Sequence, residues 1–181
     1  MHWALFNVGT TQIDAFTTGV EAVVAKTGKQ ALWVNAKAAN KNRCGFSAAV
    51  ENPGGSILVS ADVFFANSAR KTRWQFAVGD PEAPNGYVGG FNIDAEGRGI
   101  QLITKGGTFI NEPIKRDVWM RIQVLVDVGE QTFDVFIDGK DVALNAPVFA
   151  PVKRVRTFQF ATAGDGDDRA FFDNFSFAVG Q

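Results

Sequence analysis

The sequence predicts an all-β protein in which two antiparallel sheets pack face to face as a sandwich of about 11 to 13 strands. Three observations lead to this prediction. Apolar and polar residues alternate along several segments, clusters of Gly, Pro, Asn and Asp separate those segments, and the chain contains 17 Phe, a residue type that favours strands. The segments recur with a spacing of roughly 8–12 residues, which is typical of a sandwich.

The first half of the chain begins with weaker strand patterns and ends with a clear one. Residues 20–26 fit a strand or one short helical turn, and Thr27-Gly28-Lys29 is typical of a hairpin turn into a strand at 30–37. Residues 56–66 form the clear strand. Its apolar face carries Ile57, Val59, Ala61, Val63 and Phe65. Such alternation indicates an antiparallel strand with one buried face.

The second half of the chain contains the longest alternating segment, residues 118–128, followed by a strand at 133–137. Asp138-Gly139 predicts a tight hairpin turn after that strand. Near the C-terminus the apolar face of a last strand carries Phe171, Phe175, Phe177 and Val179. Strict alternation places Asp173 on this apolar face, where a carboxylate needs a cation or backbone N–H donors.

Length, charge and composition exclude several classes of protein. The 181 residues suit one domain, residues 1–181, and the formal net charge of −1 argues against nucleic-acid binding. No apolar run approaches the roughly 20 residues of a membrane span, so no membrane insertion is expected. With one His and one Cys, the chain cannot build a structural zinc site or an internal disulfide.

The sequence offers two interpretations of where in or outside the cell the protein acts. Residues 1–8 lack the basic and apolar stretches of a secretory signal. We expect an extracellular or cell-surface module cut from a longer exported protein, and a cytoplasmic protein stays open. Cys44 does not decide between them, because the only base that could activate it is His2 near the N-terminus.

Several segments taken together resemble a known family. They are residues 28–34 (GKQALWV), residues 53–65 (PGGSILVSADVFF), residues 118–127, residues 133–140 (FDVFIDGK) and the closing FDNF of residues 172–175. The set is similar to the concanavalin A-like lectin/glucanase superfamily, in particular its laminin-G-like jelly-roll domains, over nearly the whole chain. The resemblance implies a jelly roll with one concave sheet. It also implies that glycans or proteins bind that sheet or its rim loops, with calcium or glycan-cleaving activity in some members.

The enzyme alternatives find little support in the residues. Laminarinase-type glucanases carry three acids on one strand, and here only Asp94 and Glu96 approach that pattern, without the first Glu or the third acid. Alginate-lyase-type jelly rolls use His and Tyr, whereas this chain has His2 near its terminus and Tyr87 in a Gly-rich loop. If the protein is an enzyme, Asp94 and Glu96 are the candidate catalytic residues.

Calcium is a possible cofactor, and no organic cofactor is expected. Asp165, Asp167 and Asp168 lie in one Gly-rich loop, and calcium prefers carboxylate and carbonyl oxygens. The family resemblance adds Asp173, because an Asp on the last strand of similar modules joins an N-terminal loop in binding calcium. The alternative is a solvated turn with Asp173 capped by backbone amides or Arg169.

The polar faces of the predicted strands supply a candidate ligand face. Aromatic rings stack on sugars, and amide, carboxylate and guanidinium groups bond sugar hydroxyls. The candidates are Trp33, Asn35, Arg73, Gln75, Tyr87, Asn92, Asp94, Trp119 and Arg121. The same residues could form an ordinary solvated face, or could dock another protein domain.

We therefore expect a non-catalytic carbohydrate-binding or adhesion module whose partner is a polysaccharide or oligosaccharide. Binding would use the concave sheet and the rim loops at residues 80–89. A glycoside hydrolase or polysaccharide lyase, and a protein-interaction or structural domain, are the two alternatives.

Overall fold

The structure is a computed structural model that describes residues 3–8, 16–21, 26–28, 31–36, 43–49, 54–67, 72–83, 86–162 and 169–180. These residues contain fourteen β-strands. The strands are β1 (Trp3–Val8), β2 (Phe16–Glu21), β3 (Ala31–Ala36), β4 (Arg43–Ala49), β5 (Ser56–Phe65), β6 (Trp74–Gly79), β7 (Gly89–Ile93), β8 (Ile100–Leu102), β9 (Phe109–Ile110), β10 (Trp119–Asp127), β11 (Thr132–Ile137), β12 (Lys140–Pro147), β13 (Thr157–Thr162) and β14 (Arg169–Val179).

The strands form two seven-stranded sheets, so the prediction of an all-β, two-sheet sandwich is confirmed. Sheet A has the order β1-β4-β13-β6-β7-β8-β9, and sheet B has the order β12-β11-β10-β5-β14-β3-β2. All neighbouring strands pair antiparallel. The described strands exceed the expected number because β8 and β9, with three and two residues, are too short to show a clear alternation.

The core lies between the two sheets and is rich in aromatic rings. Trp74 and Phe160 of sheet A stack with ring centroids 5.2 Å apart, and Phe172 of sheet B lies 3.9 Å from Phe160. Both Trp74 and Phe160 are fully buried. Truncating such a side chain to Ala costs about 3–5 kcal/mol. These rings therefore hold the two sheets together and fix which faces remain outside.

The alternation of the two longest predicted strands is confirmed. In β5, Ile57, Val59, Ala61, Val63 and Phe65 are all buried, as the sequence predicted. In β10 the buried residues begin at Met120 and alternate to Val126, while Trp119, Arg121 and Gln123 face outward. The register pairs Ile122 with Ala61 and Arg121 with Asp62, so the inward and outward faces of β10 and β5 coincide.

The last strand departs from the predicted alternation. A β-bulge lies between Asp173 and Ser176, and Asn174 in it has a φ of 47°. Because the bulge adds one residue, the inward face carries Ala170 and Phe172 before it but Phe175 and Phe177 after it. Phe171 and Asp173 therefore both lie on the outer face, and the prediction that they share the inward apolar face with Phe175 is wrong.

The predicted tight turn between β11 and β12 is present. Asp138 and Gly139 have φ values of 52° and 77°. Two successive positive φ values are typical of the type I′ turn, which Asp-Gly favours because Gly has no Cβ. The Asp138 side chain also accepts a hydrogen bond of 2.8 Å from the backbone N–H of Arg121, which ties the turn to β10.

Among the residues that the structure describes, we find no helical segment with the length and hydrophobicity that crossing a membrane requires.

Candidate functional site

The structure divides the candidate ligand residues between the two sheets. Gln75 and Asn92 lie on β6 and β7 of sheet A, with Arg73, Tyr87 and Asp94 next to the ends of those strands. Four other candidates lie on β3 and β10 of sheet B, namely Trp33, Asn35, Trp119 and Arg121. The outer faces of the two sheets point away from each other, so the two groups cannot contact one compact ligand.

A row of amide side chains crosses the outer face of sheet A. The register pairs Gln75 with Asn92 and Asn92 with Gln101, so one amide follows another across β6, β7 and β8. The side chains share one face because paired residues of antiparallel strands lie directly opposite each other. Gln75 Nε2 donates to Asn92 Oδ1 at 3.0 Å, and Tyr87 Oη donates to Gln75 Oε1 at 3.1 Å.

A small groove of about 140 Å³ lies beside this row, and we call it the amide groove. Its lining residues are Arg73, Asn92, Asp94, Gln101 and Phe109. Phe109 is 54% exposed, although it is a large apolar residue. The described residues supply no hydrogen-bond partner for Asn92 Nδ2 or Gln101 Oε1. The groove thus offers an exposed ring together with a donor and an acceptor that a ligand can use.

Asp94 is held in place by its own turn. Arg98 Nε and Nη2 donate to the Asp94 carboxylate at 2.9 and 3.3 Å, and the Glu96 backbone N–H donates at 3.2 Å. The hydrogen bond from Arg98 lowers the pKa of Asp94 below its ordinary value of 3.8. Glu96 is exposed outside the lining of the groove. Asp94 is therefore a charged acceptor at the end of the groove, not a proton donor.

The outer face of sheet B carries a row of aromatic residues. The register pairs Trp119 with Phe64, Phe64 with Phe171, and Phe171 with Trp33. The Phe64 ring lies 5.6 Å from the Trp119 ring and 5.9 Å from the Phe171 ring. Trp119 is half-buried by these contacts. The side chains of Trp33 and Asn35 lie outside the described part of the chain, and only their place in β3 is known.

The guanidinium of Arg121 forms its described contacts with residues of sheet B. Its guanidinium donates to Asn174 O at 3.0 Å and to Ser60 Oγ at 2.8 Å, and it lies 3.4 Å from the carboxylate of Asp62. Asp62 is buried and also accepts a bond of 2.6 Å from Asn174 Nδ2. These contacts join β5, β10 and β14, and they indicate a structural role for Arg121.

Of the four candidate calcium ligands, only Asp173 lies among the residues that the structure describes. Asp165, Asp167 and Asp168 lie outside the described residues, so the prediction about that loop stays a prediction. Asp173 Oδ2 accepts hydrogen bonds from the backbone N–H groups of Lys26 and Thr27 at 2.9 and 2.8 Å, and Asp173 Oδ1 accepts one from Asn174 N at 2.7 Å. These donors correspond to the alternative of capping by backbone amides, and calcium binding by Asp173 stays a prediction. In the described part of the chain, no three His, Cys, Asp or Glu side chains are grouped to hold a metal ion.

The rim loop at residues 80–89 borders a larger cavity of about 560 Å³. Asp80, 4% exposed, lies 3.8 Å from Arg156 Nε and 4.0 Å from Arg154 Nε. Glu82 pairs with the same two arginines at 3.0 and 3.3 Å. The negative charges of the two carboxylates are thus balanced by the positive charges of the two arginines.

Sequence reasoning missed two residues of the amide groove, Gln101 and Phe109. Gln101 stands between two buried residues in the three-residue strand Ile100–Leu102, a pattern that indicates an outward side chain. Phe109 lies in the two-residue strand Phe109–Ile110, which is too short for any periodicity. Alternation could therefore have identified Gln101 but not Phe109.

No family model and no curated protein sequence matches this chain. Solved structures do match. A sialidase gives a TM-score of 0.70 at 16% identity, and the match covers 91% of this chain but 17% of the sialidase, so the chain spans about a sixth of that protein's length. A cellulose-induced protein, Cip1, gives a TM-score of 0.70 at 12% identity, with 97% of this chain and 90% of that chain covered.

An endo-β-1,4-glucuronan lyase from the fungus Trichoderma reesei gives a TM-score of 0.63 at 12% identity, with 93% of this chain and 89% of that chain covered. A carbohydrate-binding module, CBM66 from Bacillus subtilis, gives a TM-score of 0.52 at 14% identity, with 91% and 96% covered. At such identities the likeness concerns the fold alone. It shows that this chain has the concanavalin A-like jelly-roll fold that its sequence resembles.

Proposed function

We propose that this protein is a non-catalytic carbohydrate-binding module of an extracellular protein, and that it binds a polysaccharide or oligosaccharide in the amide groove. The observation that carries the proposal is the amide row on sheet A, which lies next to an exposed Phe109. The likeness in fold to a carbohydrate-binding module supports it.

The chemistry of the groove suits a sugar ring. A sugar presents hydroxyl groups around its rim and C–H bonds on its faces. Asn92 Nδ2 and Gln101 Oε1 provide a donor and an acceptor for hydroxyls, while the Phe109 ring provides a flat surface for a C–H face. Gln75 and Tyr87 hold Asn92 through a chain of two hydrogen bonds, so the amide is oriented before a ligand arrives.

Sheet A is the better candidate than sheet B because two of its outward polar atoms, Asn92 Nδ2 and Gln101 Oε1, have no hydrogen-bond partner among the described residues. On sheet B, the Arg121 guanidinium and the Trp119 ring are both engaged by neighbouring side chains. An outward aromatic row alone does not recognise hydroxyl groups. We therefore assign Trp119 and Arg121 to the stability of sheet B.

The described groove lacks the pair of groups that glycan cleavage needs. Glycoside hydrolysis uses two carboxyl groups, one of which has a raised pKa so that it can donate a proton. Asp94 is the one carboxylate among the described lining residues, and Arg98 lowers its pKa. The Tyr87 hydroxyl donates a hydrogen bond of 3.1 Å to Gln75 Oε1 and lies outside the lining of the groove.

The test compares Phe109→Ala with Leu144→Ala. Leu144 is a matched control, because it is 53% exposed and lies on β12 of the other sheet. We expect Phe109→Ala to weaken binding about fivefold, since an aromatic contact contributes roughly 1 kcal/mol. Binding is measured by affinity electrophoresis in gels containing hydroxyethyl cellulose, xylan, mannan, polyglucuronate or polygalacturonate.

Each polysaccharide that retards the wild-type protein is then incubated with it and assayed for new reducing ends and for the ultraviolet absorbance of unsaturated products. Retardation that Phe109→Ala abolishes and Leu144→Ala preserves, without product, supports the proposal. Product formation would establish an enzyme instead. Equal retardation of Phe109→Ala and Leu144→Ala would show that the polysaccharide binds outside the amide groove.

A further inference from the structure

We propose that the amide groove selects an acidic glycan, with the carboxylate of a uronic acid residue paired to Arg73. The inference rests on the proposed function and goes beyond it, because it names the class of sugar and the residue that recognises it. Three observations carry it, and they concern the partners of Arg73, the charge of the groove and the arrangement of its polar groups.

The first observation is that Arg73 has no partner among the described residues, although it is exposed and lines the groove. Other arginines that the structure describes are engaged. Carboxylate, carbonyl or hydroxyl oxygens accept hydrogen bonds from, or pair with, the guanidinium groups of Arg98, Arg116, Arg121, Arg154 and Arg156. A guanidinium carries five N–H donors in a planar fork, and those of Arg73 remain available to a ligand.

The second observation is the charge balance around the groove. Arg73 and Asp94 are the charged residues in its described lining, and the Asp94 carboxylate is paired with Arg98 at 2.9 Å. Arg73 is therefore the cation of the groove that no carboxylate of the described residues pairs with. Because the whole chain has a formal net charge of −1, this positive charge is a local feature and not part of a generally basic surface.

The third observation is that the groove places hydroxyl-binding groups next to that charge. Asn92 and Gln101 lie in the same row across the sheet, and Arg73 lies beside them at the start of β6. A guanidinium binds a carboxylate through two parallel N–H···O bonds, a geometry that a neutral sugar cannot offer. A uronic acid residue carries a carboxylate and several hydroxyls on one ring, so it matches the set.

The experiment compares one polymer in two forms, polygalacturonate and the same polymer after chemical reduction of its carboxyl groups. Polyglucuronate and its reduced form serve as the second pair, since the linkage that fits the groove is not specified by the charge. Dissociation constants are measured by isothermal titration calorimetry for the wild type, Arg73→Gln and Lys153→Gln. Lys153 is the matched control, because it is an exposed cation that lines the rim cavity and not the groove.

We expect the wild type and Lys153→Gln to bind at least one acidic polymer about fivefold to tenfold more tightly than its reduced form. Arg73→Gln is expected to bind both forms with the weaker affinity. Equal binding of acidic and reduced polymers by the wild type would overturn this inference and leave the proposed function standing. Binding of none of these polymers, while xylan, mannan or hydroxyethyl cellulose retards the wild type, would also overturn this inference alone. Absence of binding to every polysaccharide of both experiments would overturn the inference and the proposed function.

A second variant gives an effect of opposite sign. Asp94→Asn removes the negative charge of the groove and leaves Arg98 uncompensated, while the amide can still accept the turn's hydrogen bond from Glu96 N. We expect this variant to bind the acidic polymer about two- to threefold more tightly than the wild type. Damage to the fold cannot tighten binding, so a gain supports the charge argument. Weaker binding by a variant with wild-type thermal stability would contradict it.

Discussion

At the scale of single residues, the neighbours of a carboxylate decide its role. Asp94 follows β7 directly and accepts hydrogen bonds from the side chain of Arg98 and from the backbone N–H of Glu96. Both donors favour the ionised form. The same aspartate without Arg98 would be an ordinary surface acid that could exchange protons with a ligand. The turn therefore holds Asp94 as an ionised acceptor at the end of the groove.

This interpretation leads to a pH-dependence that can be measured. The pKa of Asp94 in the folded protein is below its value in the unfolded chain, because Arg98 stabilises the carboxylate. The pair therefore contributes stability above the ordinary pKa of 3.8, and this contribution is lost as the pH falls through the lower, folded-state pKa. We expect Arg98→Gln to raise the pKa of Asp94, as measured by NMR titration of its carboxyl carbon.

The control for this titration is Arg154→Gln, which removes an arginine that pairs with Glu82 and not with Asp94. It should leave the Asp94 titration unchanged. An identical Asp94 titration in the wild type and in Arg98→Gln would show that Arg98 does not hold the carboxylate in solution.

At the scale of elements, three strands of sheet B are joined by one polar network on their outer face. Arg121 of β10 reaches across Asp62 and Ser60 of β5 to Ser176 and Asn174 of β14. The β-bulge of β14 makes this possible, because it turns the Asn174 carbonyl toward Arg121 and the Asn174 amide toward Asp62. The bulge is thus a specific structural feature that the network holds in place.

Removing Arg121 should therefore weaken the fold and not the ligand site. We expect Arg121→Ala to lower the free energy of unfolding by roughly 1–3 kcal/mol, because it leaves the buried Asp62 carboxylate without its cation. The estimate is modest because about a third of the Arg121 side chain is exposed to solvent. Urea denaturation measures the change.

Gln123→Ala is the matched control, since Gln123 is the next outward residue on β10 and makes none of the described hydrogen bonds or ion pairs of this network. It should change the free energy of unfolding much less. Loss of polysaccharide binding by Arg121→Ala at unchanged stability would instead return Arg121 to the ligand-binding residues.

At the scale of the whole molecule, the two sheets are joined by their common core and by the connections that cross from one sheet to the other. One of these connections runs from β13 of sheet A to β14 of sheet B and contains Asp165, Asp167 and Asp168. Calcium bound by this loop would stabilise the connection between the two sheets, so we expect it to raise the stability of the whole fold.

We propose calcium binding by this loop on the strength of its sequence, and thermal unfolding tests it. If calcium binds the native state, excess chelator should lower the melting temperature, since saturation at 100 times the dissociation constant stabilises a protein by about 2.7 kcal/mol. The melting temperature of the double variant Asp167→Asn/Asp168→Asn should not depend on calcium. Adding magnesium to the chelated wild type should not restore its melting temperature. An unchanged melting temperature after exhaustive chelation would exclude the site.

The sequence by itself determined the fold class and the inward faces of the regular strands. Alternation in residues 56–66 and 118–128 identified the buried residues of β5 and β10, because the period of a strand is two and each inward position must be apolar. It also identified Gln75 and Asn92 as outward residues. It failed in β14, where the bulge at Asn174 interrupts the period, so Phe171 and Asp173 face outward while Phe175 and Phe177 face inward.

Only the tertiary structure decided which outward residues meet. Strand alternation predicts that a side chain faces outward, but it does not predict the sheet to which the strand belongs. Sheet membership depends on pairing between strands far apart in sequence. The candidate ligand residues therefore separated into Gln75 and Asn92 on sheet A and Trp119 and Arg121 on sheet B. Pairing of β7 with β8 and of β8 with β9 then brought Gln101 and Phe109 beside Arg73, and these pairings created the groove.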